Sequence, residues 1–344
     1  PYPQLIYILA MTFTAPMAIE VVKKYGPEII THPVGTGPYR VVSWEPQSKV
    51  VLTKNPTYRE VLFPAAKDID EDFAEARAYA GRKLPLVDDL TFRVIHEDQP
   101  RWLEHIAGNI DQIEIPKDNL ANAVKTDDIR ALKDEWARKG FKLSVEEGVV
   151  YWYMFLNMKD KLLGSNKLLR QAMSAAFDRN VFLKLHRNGR GSIAPELNPP
   201  GTNDRCGKRT EPKFPYSVEK AKELLAKAGY PNGEGLPVIN LDMRGADSTN
   251  RQLAEFLTTS MAAAGIKINP QLNTFPAFLD KRHKGNLQFA MGGWNMDYPD
   301  AENNLQLFYG PNEAPGPNES NYKNPRFDEL YKKVAIMPSG PTRQ

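Results

Sequence analysis

The sequence has one cysteine and no long apolar run. Cys206 is the only cysteine among the 344 residues, so the chain can form neither an intramolecular disulfide nor a zinc cluster built on cysteines. No apolar stretch reaches the length of about 18 residues that a transmembrane helix needs. The segment that starts at Pro1 also lacks the basic and apolar parts of a secretory signal. These absences predict no membrane span and no disulfide framework, and they leave the cellular compartment open.

Charge of one sign and catalytic motifs are also scarce. The 45 Lys and Arg residues nearly balance the 42 Asp and Glu residues, for a net charge of +3, and the basic residues are spread along the chain. That distribution argues against nucleic acid as a partner. The five histidines form no metal-ligand pair, and no Gly-x-Ser-x-Gly elbow occurs. We therefore expect no catalytic residue, no metal and no cofactor.

What the chain does have is enough apolar material for a folded protein of more than one part. Hydrophobic residues make up 41% of the sequence, and 28 prolines are distributed along it. The apolar fraction supports a packed core, and the prolines are typical of many loops and strand ends. Because 344 residues exceed an average single domain, two lobes are predicted.

The strongest local pattern is GGWNMDYPD at residues 292–300, which follows an apolar run at residues 287–291. A strand that ends in two glycines brings its main chain close to other groups. Trp294 and Tyr298 offer flat apolar faces, and Asp297 adds negative charge. This set suits a partly apolar ligand with a cationic end. Taken alone, the same residues also fit core aromatics and a turn in which Asp297 is a cap.

Two separated motifs resemble those of a known family. Residues 293–300 read GWNMDYPD, which resembles the GWxxDYPD signature of the family 5 extracellular solute-binding proteins. Residues 35–39 read GTGPY and are followed by Trp44 and by NPTY at residues 55–58, in the order and at spacings similar to those of the family. Members of this family are the dipeptide, oligopeptide and nickel receptors of bacterial ABC importers.

The resemblance implies a fold and a cellular location. The fold class is α/β, a two-lobed periplasmic-binding-protein-like fold of type II, which carries an extra domain in the complete proteins. Residues 1–148 would form a partial first α/β lobe, and residues 149–344 a second α/β lobe that stops before its return to the first. The chain is thus expected to be incomplete at both ends. A receptor of this kind works in the periplasm or anchored at the cell surface.

The resemblance also implies how a solute is held. Asp297 would pair with a cationic end such as a peptide α-amino group, and the main chain of Gly293, Trp294 and Asn295 would hydrogen-bond an extended peptide. Trp294 and Tyr298 would supply apolar contact, and Tyr153 on an earlier strand is a further candidate. The partners are then a small solute and the permease, with the receptor a monomer. Dipeptides, oligopeptides, nickel complexes, opines and oligosaccharides all remain open as solutes.

Two functions of other classes are kept as alternatives. Asp297 and Asp300 are the only pair in the motif that resembles an acid–base pair, so a hydrolase of peptides or glycosides would depend on them. A protein-interaction module would bind no small solute at all. A receptor should bind its solute unchanged, which separates it from both.

Periodicity predicts the elements around the motif. The apolar and aromatic run at residues 149–157 is expected to form a strand buried on both faces, and the lobe boundary is placed just before it. Strands at residues 239–243 and 266–272 flank a helix, which predicts a parallel βαβ unit. The strand at residues 287–291 then ends at the motif, at the carboxyl edge where α/β sheets bind ligands. Further predicted strands lie at residues 5–10, 39–44, 48–54, 90–95 and 113–116.

Overall fold

The computed structural model describes residues 2–146, 148–203 and 209–343. Cys206 lies outside these ranges. The chain divides into two compact units, and we call Pro1–Ile8 with Glu97–Gln344 unit 1 and Leu9–His96 unit 2. Every helix in the described ranges is too short or too polar to span a bilayer.

The described chain contains α-helices, β-strands and short 3-10 helices. The strands are β1 (Tyr39–Glu45), β2 (Lys49–Lys54), β3 (Asp89–Arg93), β4 (Val150–Leu156), β5 (Ile239–Met243), β6 (Ile268–Leu272) and β7 (Phe289–Asn295). The α-helices are α1 (Leu5–Leu9), α2 (Ile19–Tyr25), α3 (Asp98–Ile106), α4 (Lys117–Ala123), α5 (Asp134–Arg138), α6 (Lys161–Ser165), α7 (Lys167–Ala176), α8 (Arg179–Arg187), α9 (Val218–Lys227), α10 (Ser248–Ala263), α11 (Phe275–His283), α12 (Ala301–Leu305) and α13 (Pro325–Ile336). Short 3-10 helices lie at Thr12–Thr14, Gly26–Thr31, Ala66–Asp68, Glu71–Tyr79, Pro231–Gly233, Gln306–Phe308 and Gly310–Asn312.

Unit 2 contains a three-stranded antiparallel sheet in the order β1-β2-β3. The predicted hairpin forms its first two strands. The turn between them holds Gln47 at a φ of 62°, a left-handed conformation that reverses the chain in few residues. Within the second motif, Nδ2 of Asn55 in the NPTY segment donates to the carbonyl of Gly37 in the GTGPY segment, at 2.9 Å. The two halves of this second motif are therefore in direct contact.

Unit 1 contains a four-stranded mixed sheet in the order β4-β7-β5-β6. β5 is parallel to β6 and to β7, whereas β4 is antiparallel to β7. The predicted βαβ unit is confirmed, because α10 connects β5 to β6. Alternation along β5 buries Ile239, Leu241 and Met243 together with α7, α9 and α10 in the main core. On the opposite face, Phe155 and Ala290 pack with α11.

Side-chain caps begin the helices that cover this sheet. At α9, for example, the Ser217 hydroxyl accepts a hydrogen bond from the main-chain N–H of Lys220 at 3.1 Å. Such caps satisfy N–H groups that have no partner inside the helix, and each contributes about 1 kcal/mol. The residues that cap α7, α8, α9, α10 and α11 in this way are Asn166, Asp178, Ser217, Asp247 and Thr274.

Three predictions of local structure are wrong. The predicted strand at residues 5–10 is the helix α1, in which the N–H of Ile8 donates to the carbonyl of Gln4, because no strand in the described chain lies beside it. The predicted strand at 113–116 is absent for the same reason. β4 is not buried on both faces: it is an edge strand that pairs only with β7 among the described residues, and the side chain of Trp152 is 46% exposed. The lobe boundary near residue 148 stays a prediction.

Candidate functional site

The site is built on the end of β7, which runs further than the sequence predicts. The strand continues through both glycines to Asn295, because β4 pairs with it over its whole length, from Phe289 to Asn295. β5 pairs with only the first two residues of β7, Phe289 and Ala290. On that side the rest of β7 has no partner strand in the described chain, so its main-chain groups offer an open edge.

Two aromatic rings of β4 lie against the two glycines of β7. A Cβ atom added to Gly292 would be 2.9 Å from Cε2 of Tyr153, and one added to Gly293 would be 2.7 Å from Cε3 of Trp152. Both distances are shorter than van der Waals contact, so only glycine accommodates the rings in these positions. The close approach that the glycines predict is therefore made by Tyr153 and Trp152.

This packing leads to a first prediction. We expect Gly292→Ala to destabilise the protein by about 1–3 kcal/mol, the usual effect of overpacking, because Tyr153 must shift. Gly37→Ala is the control, since a Cβ there meets nothing within 4 Å. Urea unfolding of both variants measures the difference. Equal stability of Gly292→Ala and Gly37→Ala would contradict the contact.

Asp297 and Trp294 are held together by one side chain that the sequence does not single out. Oδ1 of Asn303 accepts from the indole Nε1 of Trp294 at 2.7 Å and from the main-chain N–H of Asp297 at 3.1 Å. Nδ2 of Asn303 donates to Oδ2 of Asp297 at 3.3 Å. Asn303 is fully buried, while Asp297 and Asn295 are exposed and Gly293 and Trp294 are partly exposed.

Tyr298 lies in the interior of unit 1 and is 5% exposed. Its hydroxyl donates to Oε2 of Glu302 at 2.6 Å, and its ring stacks on Tyr7 with ring centroids 5.5 Å apart. Burial, with the Glu302 hydrogen bond in second place, raises the pKa of Tyr298. The other carboxylate oxygen of Glu302 accepts from the hydroxyl of Tyr331 on α13. Tyr298 therefore braces the loop that carries Asp297.

Asp300 is also interior, and its carboxylate is fully engaged. Arg343 donates from both terminal nitrogens to the two oxygens of Asp300, each at 2.7 Å. Oδ1 of Asp300 also accepts from the main-chain N–H of Glu302 and so caps α12. Asp300 and Asp297 thus lie in different surroundings, and Asp300 has no oxygen left for acid–base work. The hydrolase alternative is not supported.

Two guanidinium groups lie over the exposed ring of Trp152. The guanidinium carbon of Arg244 is 5.5 Å from the centre of the Trp152 ring and 5.4 Å from that of Phe275, and the guanidinium carbon of Arg187 is 5.7 Å from the Trp152 ring. Neither arginine forms an ion pair with a carboxylate of the described residues. Arg244 directly follows β5, at the same carboxyl edge as the end of β7. The edge therefore carries two cations that stack on aromatic rings and make no direct ion pair with a carboxylate of the described residues.

A buried ion pair supports the other side of β7. Nε of Arg282 on α11 is 3.0 Å from Oε1 of Glu319, whose side chain is 6% exposed. Burial raises the pKa of the Glu319 carboxyl, and the charges of Arg282 and Arg244 act against that rise. Burial also raises the pKa of Tyr153, with the charge of Glu319 as the next contribution. Tyr153 is thus a neutral ring next to this pair.

No three His, Cys, Asp or Glu side chains of the described ranges converge on a position that would hold a metal ion. The arrangement at the end of β7 offers an exposed carboxylate, an oriented indole, an open strand edge and half-buried cations. It has the chemistry to bind a polar solute with two charged ends.

The sequence model of the bacterial extracellular solute-binding proteins, family 5 (Middle), matches residues 1–316. The chain belongs to this family. The match includes both motifs and every candidate residue of the site.

Curated relatives in the family agree with this membership. The chain is 26% identical to heme-binding protein A of Haemophilus influenzae over 94% of its own length and 53% of that protein, and 24% identical to the oligopeptide-binding protein AppA of Bacillus subtilis over 87% and 50%. The chain spans about half the length of the curated relatives it matches. Both relatives are named as binding proteins and not as enzymes.

A solved structure of a periplasmic binding protein confirms the fold class. The periplasmic binding protein DppA from Helicobacter pylori, solved in complex with the peptide STSA, superimposes with a TM-score of 0.75 at 23% identity, over 98% of this chain and 59% of that one. The α/β fold of the two-lobed periplasmic binding proteins is thus the fold of this chain.

Proposed function

We propose that this chain is the solute-recognising part of a receptor that captures a peptide or similar small solute and delivers it to the permease of an ABC importer. The observation that carries the proposal is the exposed carboxylate of Asp297, fixed next to the indole of Trp294 at the open edge of β7. Family 5 membership supports the receptor class. The solute meets the protein without a chemical step.

The chemistry of the edge favours a solute with both a cationic and an anionic end. Asp297 receives the cationic end, and a charge-assisted hydrogen bond of this kind contributes about 1.5–3 kcal/mol. The main chain from Gly293 to Asn295 accepts and donates hydrogen bonds along an extended solute, and the indole of Trp294 covers its apolar parts. Arg244 receives the anionic end. A peptide with free termini has this charge pattern, which neutral oligosaccharides lack.

A second solute class has a specific observation in its favour. Haem combines a large flat apolar surface with carboxylates, and the half-exposed ring of Trp152 lies close to the guanidinium groups of Arg187 and Arg244. The name of the H. influenzae relative points to the same solute for that protein. Binding of haem would not require Asp297, so a substitution of Asp297 should weaken the binding of a peptide but not that of haem.

The remaining parts of the proposal follow from the family. Receptors of ABC importers work outside the cytoplasmic membrane, in the periplasm or at the cell surface, and we propose the same for this protein. We also propose that it acts as a monomer with the permease as its protein partner. Tyr153 is kept as a wall of the solute site, and Tyr298 as a brace behind it.

Thermal unfolding of the full-length protein with a panel of solutes tests the proposal. At about a thousand times its Kd, a solute stabilises the protein by about 4 kcal/mol. We expect this shift for peptides with free termini and no comparable shift for oligosaccharides. Arg244→Gln should reduce the shift for a free peptide and leave that for its C-terminal amide nearly unchanged. A shift for haem alone would transfer the proposal to haem, and no shift with any solute would reject the receptor function.

A further inference from the structure

We infer that Asn303 is the positioning residue of the solute site: it sets the mutual geometry of Asp297 and Trp294 and thereby the affinity for a cationic solute end. The inference rests on the proposed function. It concerns a residue that need not touch the solute, because its side chain is fully buried. Asn303 acts through the two groups that it holds.

The hydrogen bonds of this side chain go to the residues of the site and to the buried hydroxyl of Tyr298 behind it. The amide of Asn303 makes three hydrogen bonds within the site: it accepts from the indole of Trp294 and from the main-chain N–H of Asp297, and it donates to the carboxylate of Asp297. An amide has one acceptor oxygen and two donor hydrogens. Its oxygen is used by two donors from the site, and one of its hydrogens by the carboxylate. These three hydrogen bonds therefore go to Trp294 and Asp297, two of the solute-binding candidates.

The position of Asn303 is fixed by the fold behind it. Its main-chain N–H donates to the carbonyl of Asp300 at 2.9 Å, and its own carbonyl accepts from Nε2 of Gln306 at 3.1 Å. α12, on which it lies, begins at the Asp300 cap. The backbone of Asn303 is thus held by hydrogen bonds to its own N–H and carbonyl, while its side chain faces the site. A preorganised carboxylate loses less freedom when it binds a solute, which raises affinity.

The chain provides a matched control in the next residue. Asn304 is the same residue type, is equally buried and lies on the same helix. Its Nδ2 donates to the carbonyl of Leu197 at 3.2 Å and lies 3.5 Å from the sulfur of Met296. It has no hydrogen bond to Trp294 or Asp297. Asn304→Ala therefore removes a buried amide and leaves the hydrogen bonds of Asn303 to Trp294 and Asp297 in place.

The test uses the full-length protein and two readouts. The first is the indole N–H correlation spectrum, in which Trp294→Phe identifies the signal of Trp294 among those of the five tryptophans. We expect Asn303→Ala to move this signal and Asn304→Ala to leave it in place. The second is the affinity for a tetrapeptide and for its N-acetylated form. Asn303→Ala should weaken the binding of the free peptide by about 10- to 100-fold, the effect of one or two lost hydrogen bonds to a charged group. The binding of the acetylated peptide should be weakened far less.

A second variant keeps the test decisive if Asn303→Ala does not fold. Asn303→Asp retains the acceptor oxygen for the indole and places a second carboxylate where Nδ2 lies 3.3 Å from Oδ2 of Asp297. Two carboxylates at this distance titrate as a pair, and one pKa rises. The affinity for the peptide should then change with pH in one step more than in the unaltered protein, at the higher pH where the second carboxyl of the pair loses its proton. The indole signal should stay near its original position. A side chain with only a space-filling role would add no step.

The outcomes are distinct. An unmoved indole signal, or an equal loss of affinity for the free and acetylated peptides in Asn303→Ala, would overturn the positioning role. If the unaltered protein binds no solute of the panel, the proposed function fails and the role in recognition fails with it, even where the indole signal still depends on Asn303. Loss confined to the free peptide supports both.

Discussion

Asp300→Asn is expected to destabilise unit 1 by about 3–5 kcal/mol, the cost of removing one partner from a buried ion pair. The side chains of Arg343 and Asp300 are 1% and 7% exposed, so the substitution removes the negative charge that faces a buried guanidinium. Asparagine keeps the oxygen that caps α12, which isolates the effect of the charge. Chemical unfolding of the full-length protein measures the loss.

An exposed ion pair on the same helix as Tyr331 supplies the control for this prediction. Glu329 and Lys333 form an i,i+4 pair on α13 whose side chains are about two-thirds exposed. Exposed pairs of this kind are screened by water, so Glu329→Gln should leave the unfolding midpoint almost unchanged. An Asp300→Asn protein as stable as Glu329→Gln would contradict the buried pair.

Asp297→Asn should weaken the binding of a peptide with a free amino group by about 10- to 100-fold, because a charge-assisted hydrogen bond is replaced by a neutral one. Asp297 is exposed, and its carboxylate accepts a hydrogen bond from the side chain of Asn303, so the folded state should tolerate the change. Isothermal titration calorimetry of the variant measures the affinity.

The control for Asp297→Asn is the same chemical change elsewhere. Asp280 on α11 is an exposed aspartate paired with Lys284, and Asp280→Asn alters the net charge equally. Its affinity for the peptide should equal that of the unaltered protein. Matching losses in the two variants would mean that net charge, and not a contact at Asp297, governs binding.

Some of this site could be predicted from local sequence, and some could not. An apolar run that ends in two glycines, an aromatic residue and an acid is a local pattern, so the position of Trp294 and Asp297 near the carboxyl end of β7 follows from it. The role of Asn303 does not, because its hydrogen bonds depend on how α12 turns back towards β7. Arg244 and Trp152 come together only because β5 ends, and the antiparallel β4 begins, at the same edge of the sheet.

Neighbours within one motif also have opposite environments, which the sequence does not reveal. Tyr298 and Asp300 follow Asp297 closely, yet both lie in the interior while Asp297 is exposed. Their partners, Tyr7 and Arg343, are far away in the sequence. The wrong prediction of a strand at residues 5–9 has the same cause. The β-branched residues there favour a strand, but a strand needs a neighbouring strand, and the described fold places none beside this segment.

The measurement that tests the central claim most directly is a calorimetric titration of the full-length protein with a tetrapeptide, followed by mass analysis of the recovered peptide. We predict saturable binding that is weakened by N-acetylation of the peptide and by Asp297→Asn, with the peptide recovered intact. Binding that is indifferent to both changes, a cleaved peptide, or no binding by folded protein free of bound solute would contradict it.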